Sequence, residues 1–429
     1  MPEPVPSPQG LSISSDHTMK NILSTGLFAC LAWLVSQGPV VGQTQPATPA
    51  AVALPATGPG TPPAAAPGAT RVQPRPTGIE LVPTLDKPKN ARKLQDRDMA
   101  AYILVYFKDE THSAYLAISG DGYTFTDING GQPVFDGAIL AGQKGVRDPH
   151  LARGPDGAFY LAMTDLHVNG QRAGYRPTQW ERPEAQYGWG NNRALVMMKS
   201  WDLIHWTHSD FRIDQAFPEL AEIGCCWAPE TIYDEQQGKM MIYFTMKIGR
   251  GVDCLYYAYT DDAFTKMVTK PELLFKFPAP DGALADNVRD RLHVIDGDIT
   301  KVGGKFHLFY SSKETGTPGI EHSVSDKINQ GYPLVQQRVD PERVACEAPN
   351  LFKRIGTDTY VLMYDAYGGG NMGFSETTDF VTYKDIGRFN GGVMKGTNFD
   401  RPKHGAVTTL TLDELKSIAA HWKMGIKLD

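Results

Sequence analysis

Three carboxylates stand in closely similar settings far apart in the chain: Asp148 in RDPHLA, Asp296 in VIDGDIT and Glu347 in EAPNLF. Two further stretches, WAPETIY from Trp227 and KHGAVTTL from Lys403, follow the same pattern. Aligned on Pro149, Pro229, Gly297, Pro349 and Gly405, residues Asp148, Asp296 and His404 fall one position before the anchor. Glu347 and Trp227 fall two before it. An Asp before a proline is ordinarily a turn or a cap, and a lone Glu is ordinarily a surface acid. Three carboxylates at matched register point to chemistry instead. Carboxyls gathered in one buried space cannot all ionise independently, so burial and repulsion keep one protonated while another stays charged. An acid and a base at the same pH is what hydrolysis of a glycosidic bond needs: one carboxyl protonates the leaving oxygen and another activates water.

Such a meeting requires elements that bring distant segments to one point. Each motif opens a unit that reads as an inner strand, a turn, an aromatic-rich strand, a small-residue strand ending in Ser or Thr, and a variable edge. Four complete units start at Asp148, Trp227, Asp296 and Glu347. The fifth inner strand, GAVTTLTL from Gly405, has no partners after it, because DELKSIAAHW is helical in pattern. Conversely, the sheet AYILVYF, SAYLAIS and YTFTDI near residues 101–128 lacks an inner strand. Pairing the two predicts an all-β, five-bladed β-propeller closed by N- and C-terminal strands in one blade, which removes exposed edges. Inner strands running along the axis bring their polar mouths together. A β-sandwich gives no reason for a polar residue at the start of every unit.

The 429 residues, 41% hydrophobic, are enough for a large core, and 43 Gly with 31 Pro suit a turn-rich β protein. A net charge of -6 without a basic run excludes nucleic acid and anionic membrane surfaces as expected partners. No specific protein partner is expected. Residues 1–42 read as an N-terminal extension and signal peptide: Met19-Lys20, the apolar run Ile22 to Val35, then Val40-Val41-Gly42 as a cleavage site. A retained membrane tether is the alternative, and both place the protein outside the cytoplasm. Residues 43–97 read as a Pro/Ala-rich linker and lead-in, and 98–429 as the catalytic propeller. Cys225, Cys226, Cys254 and Cys346 lack metal-ligand spacing and are expected as buried free thiols.

The ordered set RDPH, WAPE, IDGD, EAPN and KHGA resembles glycoside hydrolase family 43, the five-bladed propeller glycosidases, over roughly residues 98–410. The resemblance implies Asp148 as general base, Glu347 as general acid and Asp296 as the residue that tunes and orients the acid. It implies inversion of the anomeric centre, no cofactor for the chemistry, and a calcium or other ion on the axis with His404 beside it. The third motif departs from the family in having Gly297 where Pro is common. Asp298 shares a face with Asp296 by period-two alternation, so the tuning role is open between them, with register favouring Asp296.

Trp227 is expected as a wall for a sugar face, and Glu230 as a ligand for substrate hydroxyls. Arg147 is expected either to hold Asp148 ionised or to form a surface ion pair. His150 and His293 read as structural. The insert 167–192, with Trp180, Tyr187 and Trp189, is a rim loop suited to shaping a pocket. The stretches DGYTFTDINGGQPVF, GVRDPH and GWGNNRALVMMKSWDLIHW resemble the arabinose-releasing branch of the family. That implies an α-L-arabinofuranosidase acting on side chains of plant polysaccharides. β-Xylosidase or exo-galactanase activity is the second reading, and a sugar-binding propeller without turnover is the third.

Overall fold

The polar hub is held by strands that are apolar on both faces. In β10 (Lys239–Ile248), Met240, Ile242 and Phe244 face one neighbouring sheet, while Met241 and Tyr243 face the other. In β2 (Met99–Lys108), Ile103 and Val105 point one way, and Tyr102, Leu104 and Tyr106 the other. Successive side chains alternate faces, so a strand sandwiched between two sheets reads as a continuous apolar run. Five apolar clusters form this way, each filling the gap between two consecutive sheets.

The computed structural model describes residues 78–278, 288 and 290–425. The expected signal peptide and the linker as far as residue 77 lie outside them. Ordered from the hub outward, blade I is β5 (Val146–Arg153), β6 (Phe159–Asp165), β7 (Ala194–Ser200) and β8 (His205–Arg212). Blade II is β9 (Ile223–Asp234), β10, β11 (Cys254–Tyr259) and β12 (Glu272–Phe275). Blade III is β13 (Val294–Val302), β14 (Lys305–Ser312), β15 (Gly319–Ser325) and β16 (Leu334–Gln336). Blade IV is β17 (Glu347–Lys353), β18 (Tyr360–Ala366), β19 (Asn371–Thr377) and β20 (Lys384–Arg388). Blade V joins the two ends of the propeller: β22 (Lys403–Thr411) is innermost, followed by β2, β3 (Ser113–Ser119) and β4 (Thr124–Asp127).

The inner strands contact one another in the cyclic order β5, β9, β13, β17, β22 and back to β5, so the ring is closed. The closing pair is antiparallel, with Ala101 opposite Leu410 and Val105 opposite Ala406. Arg153 of blade I grips Glu414 with bonds of 2.7 and 2.8 Å and also donates to the Thr409 carbonyl at 2.8 Å. This fork ties the closing strand and the helix Leu412–His421 to the first blade. Thr411 and Glu414 cap that helix reciprocally, as the TxxE spacing dictates.

One boundary differs from the sequence reading. Residues 78–97 do not merely lead in: β1 (Glu80–Leu81) pairs in parallel with β8 as a fifth strand of blade I. In blade V, β21 (Lys395–Gly396) covers β4 in the same way. Both short strands satisfy outer edges that would otherwise present unpaired N–H and C=O groups.

Candidate active site

The five inner strands share a local kink. Asp148, Ala228, Asp296 and Ala348, each directly before its anchor, have φ of 49, 47, 54 and 58°. L-residues avoid this left-handed region at a cost of about 1–2 kcal/mol each, so its recurrence marks a built feature. At each kink the ladder slips, between Arg147 and His150, Trp227 and Glu230, Ile295 and Asp298, and Glu347 and Asn350. The same slip occurs at Lys403 and Gly405 in β22. A bulge re-aims side chains, and here it separates the polar residues into two levels on the axis.

The upper level holds Asp148, Asp296 and Glu347. Asp148 Oδ2 accepts from Thr164 Oγ1 at 2.8 Å, and its Oδ1 lies 3.5 Å from His404 Nδ1. Asp296 Oδ2 accepts from the Ala348 N–H at 3.2 Å. Burial first, then the charges of Glu347 and Asp148, push the Asp296 carboxyl well above the usual carboxylate range. Burial and the nearby Asp365, opposed by Lys403, push Glu347 up to about 8, with Asp148 adding to the rise. The three carboxyls therefore feel one another directly. Burial holds the His404 imidazole neutral, with its pKa down at about 4.

Glu347 lines a pocket of 220 Å³ together with Trp227, His293, Ser312, Lys313 and Tyr367. Trp227 is fixed there by a 2.9 Å bond from its indole N–H to the Gly190 carbonyl. Arg147 takes the ion-pair alternative: its Nη1 is 2.5 Å from Asp109 Oδ1, and its guanidinium lies over the Phe107 ring. Its charge reaches Glu347, whose pKa it lowers.

The lower level is made by the residue after each of the first four anchors: His150, Glu230, Asp298 and Asn350. Here the structure corrects two expectations. Glu230, expected as a ligand for substrate hydroxyls, and Asp298, the alternative for the tuning role, are 2% and 3% exposed and are bonded by protein groups. Tyr243 donates to Glu230 at 2.9 Å, and the Leu351 N–H donates to Asp298 at 2.9 Å. Burial raises the Glu230 carboxyl well above its ordinary range and Asp298 to about 7, with a hydrogen bond between the two. Asp298 thus pairs with Glu230, while Asp296 is the residue that meets Glu347 and Asp148. The alternation of β13 put both aspartates on one face, but the bulge divides them.

The expected axial ion can be tested against these donors. Among the described residues, the set whose ligand atoms lie within 4.8 Å of one another is His150, Glu230 and Asp298; His404 is not in it. His150 Nδ1 accepts from the Thr231 N–H at 3.2 Å, so the neutral ring carries its proton on Nε2. That nitrogen faces Glu230 at 3.8 Å with a hydrogen and no lone pair. A metal-bound histidine has the reverse arrangement, with its other nitrogen donating. With that nitrogen protonated and turned on Glu230, the set as arranged has no imidazole lone pair to offer and does not fit a divalent cation.

Sequence reading missed a group on the second strands. At matched positions facing the kinks, Thr164, Thr245 and Ser311 use their hydroxyls to tie each inner strand to the next blade. Thr164 accepts from the Ala228 N–H at 2.8 Å, Thr245 accepts from the Asp296 N–H at 3.0 Å, and Ser311 donates to the Cys346 carbonyl at 2.9 Å. In blade IV that position is Asp365, directly opposite Glu347 and 1% exposed. Its Oδ2 lies 3.0 Å from Lys403 Nζ of blade V. The signal was present at one matched position of the second strands, where blades I to III carry Thr164, Thr245 and Ser311 and blade IV carries Asp365. Cys225, Cys226, Cys254 and Cys346 are buried free thiols, as expected.

Residues 97–416 match the family described as a probable glycosyl hydrolase domain related to family 43. Among solved structures, the chain resembles a thermostable family-43 glycoside hydrolase, with 16% identity, 64% of this chain and 83% of that one covered, and a TM-score of 0.42. It also resembles the catalytic domain of the Coprinopsis cinerea GH62 α-L-arabinofuranosidase, with 16% identity, 65% and 79% coverage and a TM-score of 0.41. A third is the GH43_1 enzyme from Xanthomonas citri complexed with xylose, with 13% identity, 59% and 74% coverage and a TM-score of 0.40. No curated protein sequence matches the chain. The chain belongs to the family-43-related glycosyl hydrolases and is a glycoside hydrolase of that type.

Proposed function

We propose that this hydrolase removes single terminal sugars by one-step inversion, with α-L-arabinofuranose as the sugar released. One observation carries the mechanism: Glu347, held up at about 8, keeps its proton at neutral pH while close enough to Asp148 to feel its charge. Glu347 is the general acid and Asp148 the general base. Water attacks the anomeric carbon and gives a proton to Asp148. The bond from that carbon to the leaving oxygen breaks, and the oxygen takes the proton of Glu347. Solvent then resets both carboxyls. Asp296, bonded to the Ala348 N–H directly after Glu347, fixes the position of the acid.

The small pocket around Glu347 favours action at a chain end over cleavage within a chain. The choice of arabinose rests on the resemblance of the N-terminal sheet and first-blade stretches. Turnover of 4-nitrophenyl α-L-arabinofuranoside, β-D-xyloside and β-D-galactoside tests it, with NMR of the first-formed sugar reporting stereochemistry. The arabinofuranoside should be fastest and the product anomer inverted. A faster xyloside or galactoside overturns the sugar assignment, and a retained anomer overturns the mechanism.

A further inference from the structure

The pocket holding Glu347 does not close on its blade II side. His293 and Asp290 line both this pocket and a second cleft of 570 Å³, whose wall also carries Gly188, Trp189, Lys247 and Arg250. An acid delivers its proton to the leaving oxygen, so space beyond Glu347 on this wall faces the leaving group. Trp189 is 54% exposed there, unusual for a residue of its size. Its indole is braced edge-on by Trp180 at 5.2 Å and Trp227 at 5.9 Å. The flanking Gly188 and Gly190 take φ of 83 and 63°, which swings the indole outward. The loop behind it is pinned to β9 by paired 2.8 Å bonds between Asn192 and Cys226, and by a 2.9 Å bond from Tyr187 to Glu222. Lys247 is neutralised by Asp253 at 2.9 Å, so the wall offers N–H donors without demanding an anion.

We infer that Trp189 is the platform of a leaving-group subsite that takes one neutral sugar ring, stacked on the indole beside the sugar being released. The inference rests on the hydrolase reading. Its test compares arabinofuranosyl xylotriose with arabinofuranosyl fluoride, which has no ring in its leaving group. In Trp189→Ala, the ratio of kcat/KM for the oligosaccharide to that for the fluoride should fall at least about tenfold, mainly through KM, with partial recovery in Trp189→Phe. A ratio within about twofold of wild type overturns the subsite. Failure of the hydrolase reading shows differently, as a wild-type protein inactive on both compounds. In that event, binding of the oligosaccharide to Glu347→Gln protein decides: at least about tenfold weaker binding on adding Trp189→Ala supports the subsite, and equal binding overturns it.

A second observation stands apart from the cleft. Where blades I, II and III place a hydroxyl to tie inner strands together, blade IV places the buried Asp365 across from Glu347, with Lys403 as its counter-charge. The geometry points to Asp365 as a positioning residue that holds the proton on Glu347. The other charged or titratable groups around Glu347 are Asp148, Asp296, Arg147, Lys403 and Tyr367, with Asp253, Asp290, His293 and Lys313 in the wall of the pocket it lines. In Asp365→Asn and Asp365→Ser, the alkaline limb of kcat/KM for a sugar leaving group should move down by about one pH unit. Activity at pH 5 should stay within about threefold, and a dinitrophenyl glycoside, which needs no protonation, should show no such move. An unmoved limb, or an equal fall at every pH with both substrates, overturns the role.

Discussion

Two rings of polar side chains lie one below the other at the hub, built from the same five kinked strands, and they are provided for differently. The lower ring of His150, Glu230, Asp298 and Asn350 is saturated by protein. Tyr243 donates to Glu230, a backbone N–H to Asp298, and Asn350 accepts from the Val407 N–H at 2.9 Å. The upper ring of Asp148, Asp296 and Glu347 has fewer protein donors, and its Glu347 borders a cavity. Like charges crowd it, with Asp365 adding another, and Lys403 and Arg147 only partly offset them. Satisfied groups hold a fold together, whereas strained and under-bonded ones are where chemistry is available. The difference lies in one residue of register: the bulge turns position minus one or minus two toward the pocket and position plus one into the stack.

Breaking the upper ring should stop turnover without unfolding the protein. Asp148→Asn should lower kcat about 10²–10⁴-fold for every leaving group, since water still needs a base. Steady-state kinetics checks this, with circular dichroism to show the fold intact. Breaking the lower ring should do the opposite. Glu230→Ala strands the Tyr243 hydroxyl and should lower stability by about 1–3 kcal/mol in denaturant titration. Glu230→Gln keeps the bonding and should leave kcat/KM within a few fold.

The rings should also separate by pH. Glu347 ionises near 4.5 in an unfolded chain and near about 8 in the folded protein. Between those values the unfolded chain has released a proton that the folded protein retains. Stability from this group is therefore intact below about 4.5 and falls as pH rises toward about 8. Asp298 adds a similar slope from 3.8 to about 7. Melting temperature measured across this range should flatten in its upper part for Glu347→Gln and in its lower part for Asp298→Asn. The smallest effect concerns metal. A bound ion at a hundredfold excess over its Kd adds about 2.7 kcal/mol. Because the His150 set does not fit one, a chelator or added calcium should move Tm by less than about 1 °C.

The architecture was legible because the repeat of turn residue plus apolar strand exposes the inner strands, and the unpaired segments at 101–128 and after Gly405 demand each other. The meeting of Asp148, Asp296 and Glu347 followed from that register. What period-two reasoning could not give was the bulge. Alternation placed Asp298 beside Asp296, and Glu230 was read as a substrate ligand, while the left-handed residues Asp296 and Ala228 at their kinks send them inward. Asp365 was hidden for a different reason: its partner Lys403 is separated from it by a blade boundary. Only the series Thr164, Thr245, Ser311, Asp365 at one matched position of the second strands hinted at it.

The claim on which the mechanism turns is that Glu347 supplies the proton. It is tested most directly by the kcat/KM of Glu347→Gln on an arabinofuranosyl oligosaccharide and on a 2,4-dinitrophenyl arabinofuranoside. A loss of about 10²–10⁴-fold on the first, with activity on the second within about tenfold of wild type, is the predicted result. Equal losses on the two substrates, or no loss on the oligosaccharide, would contradict it.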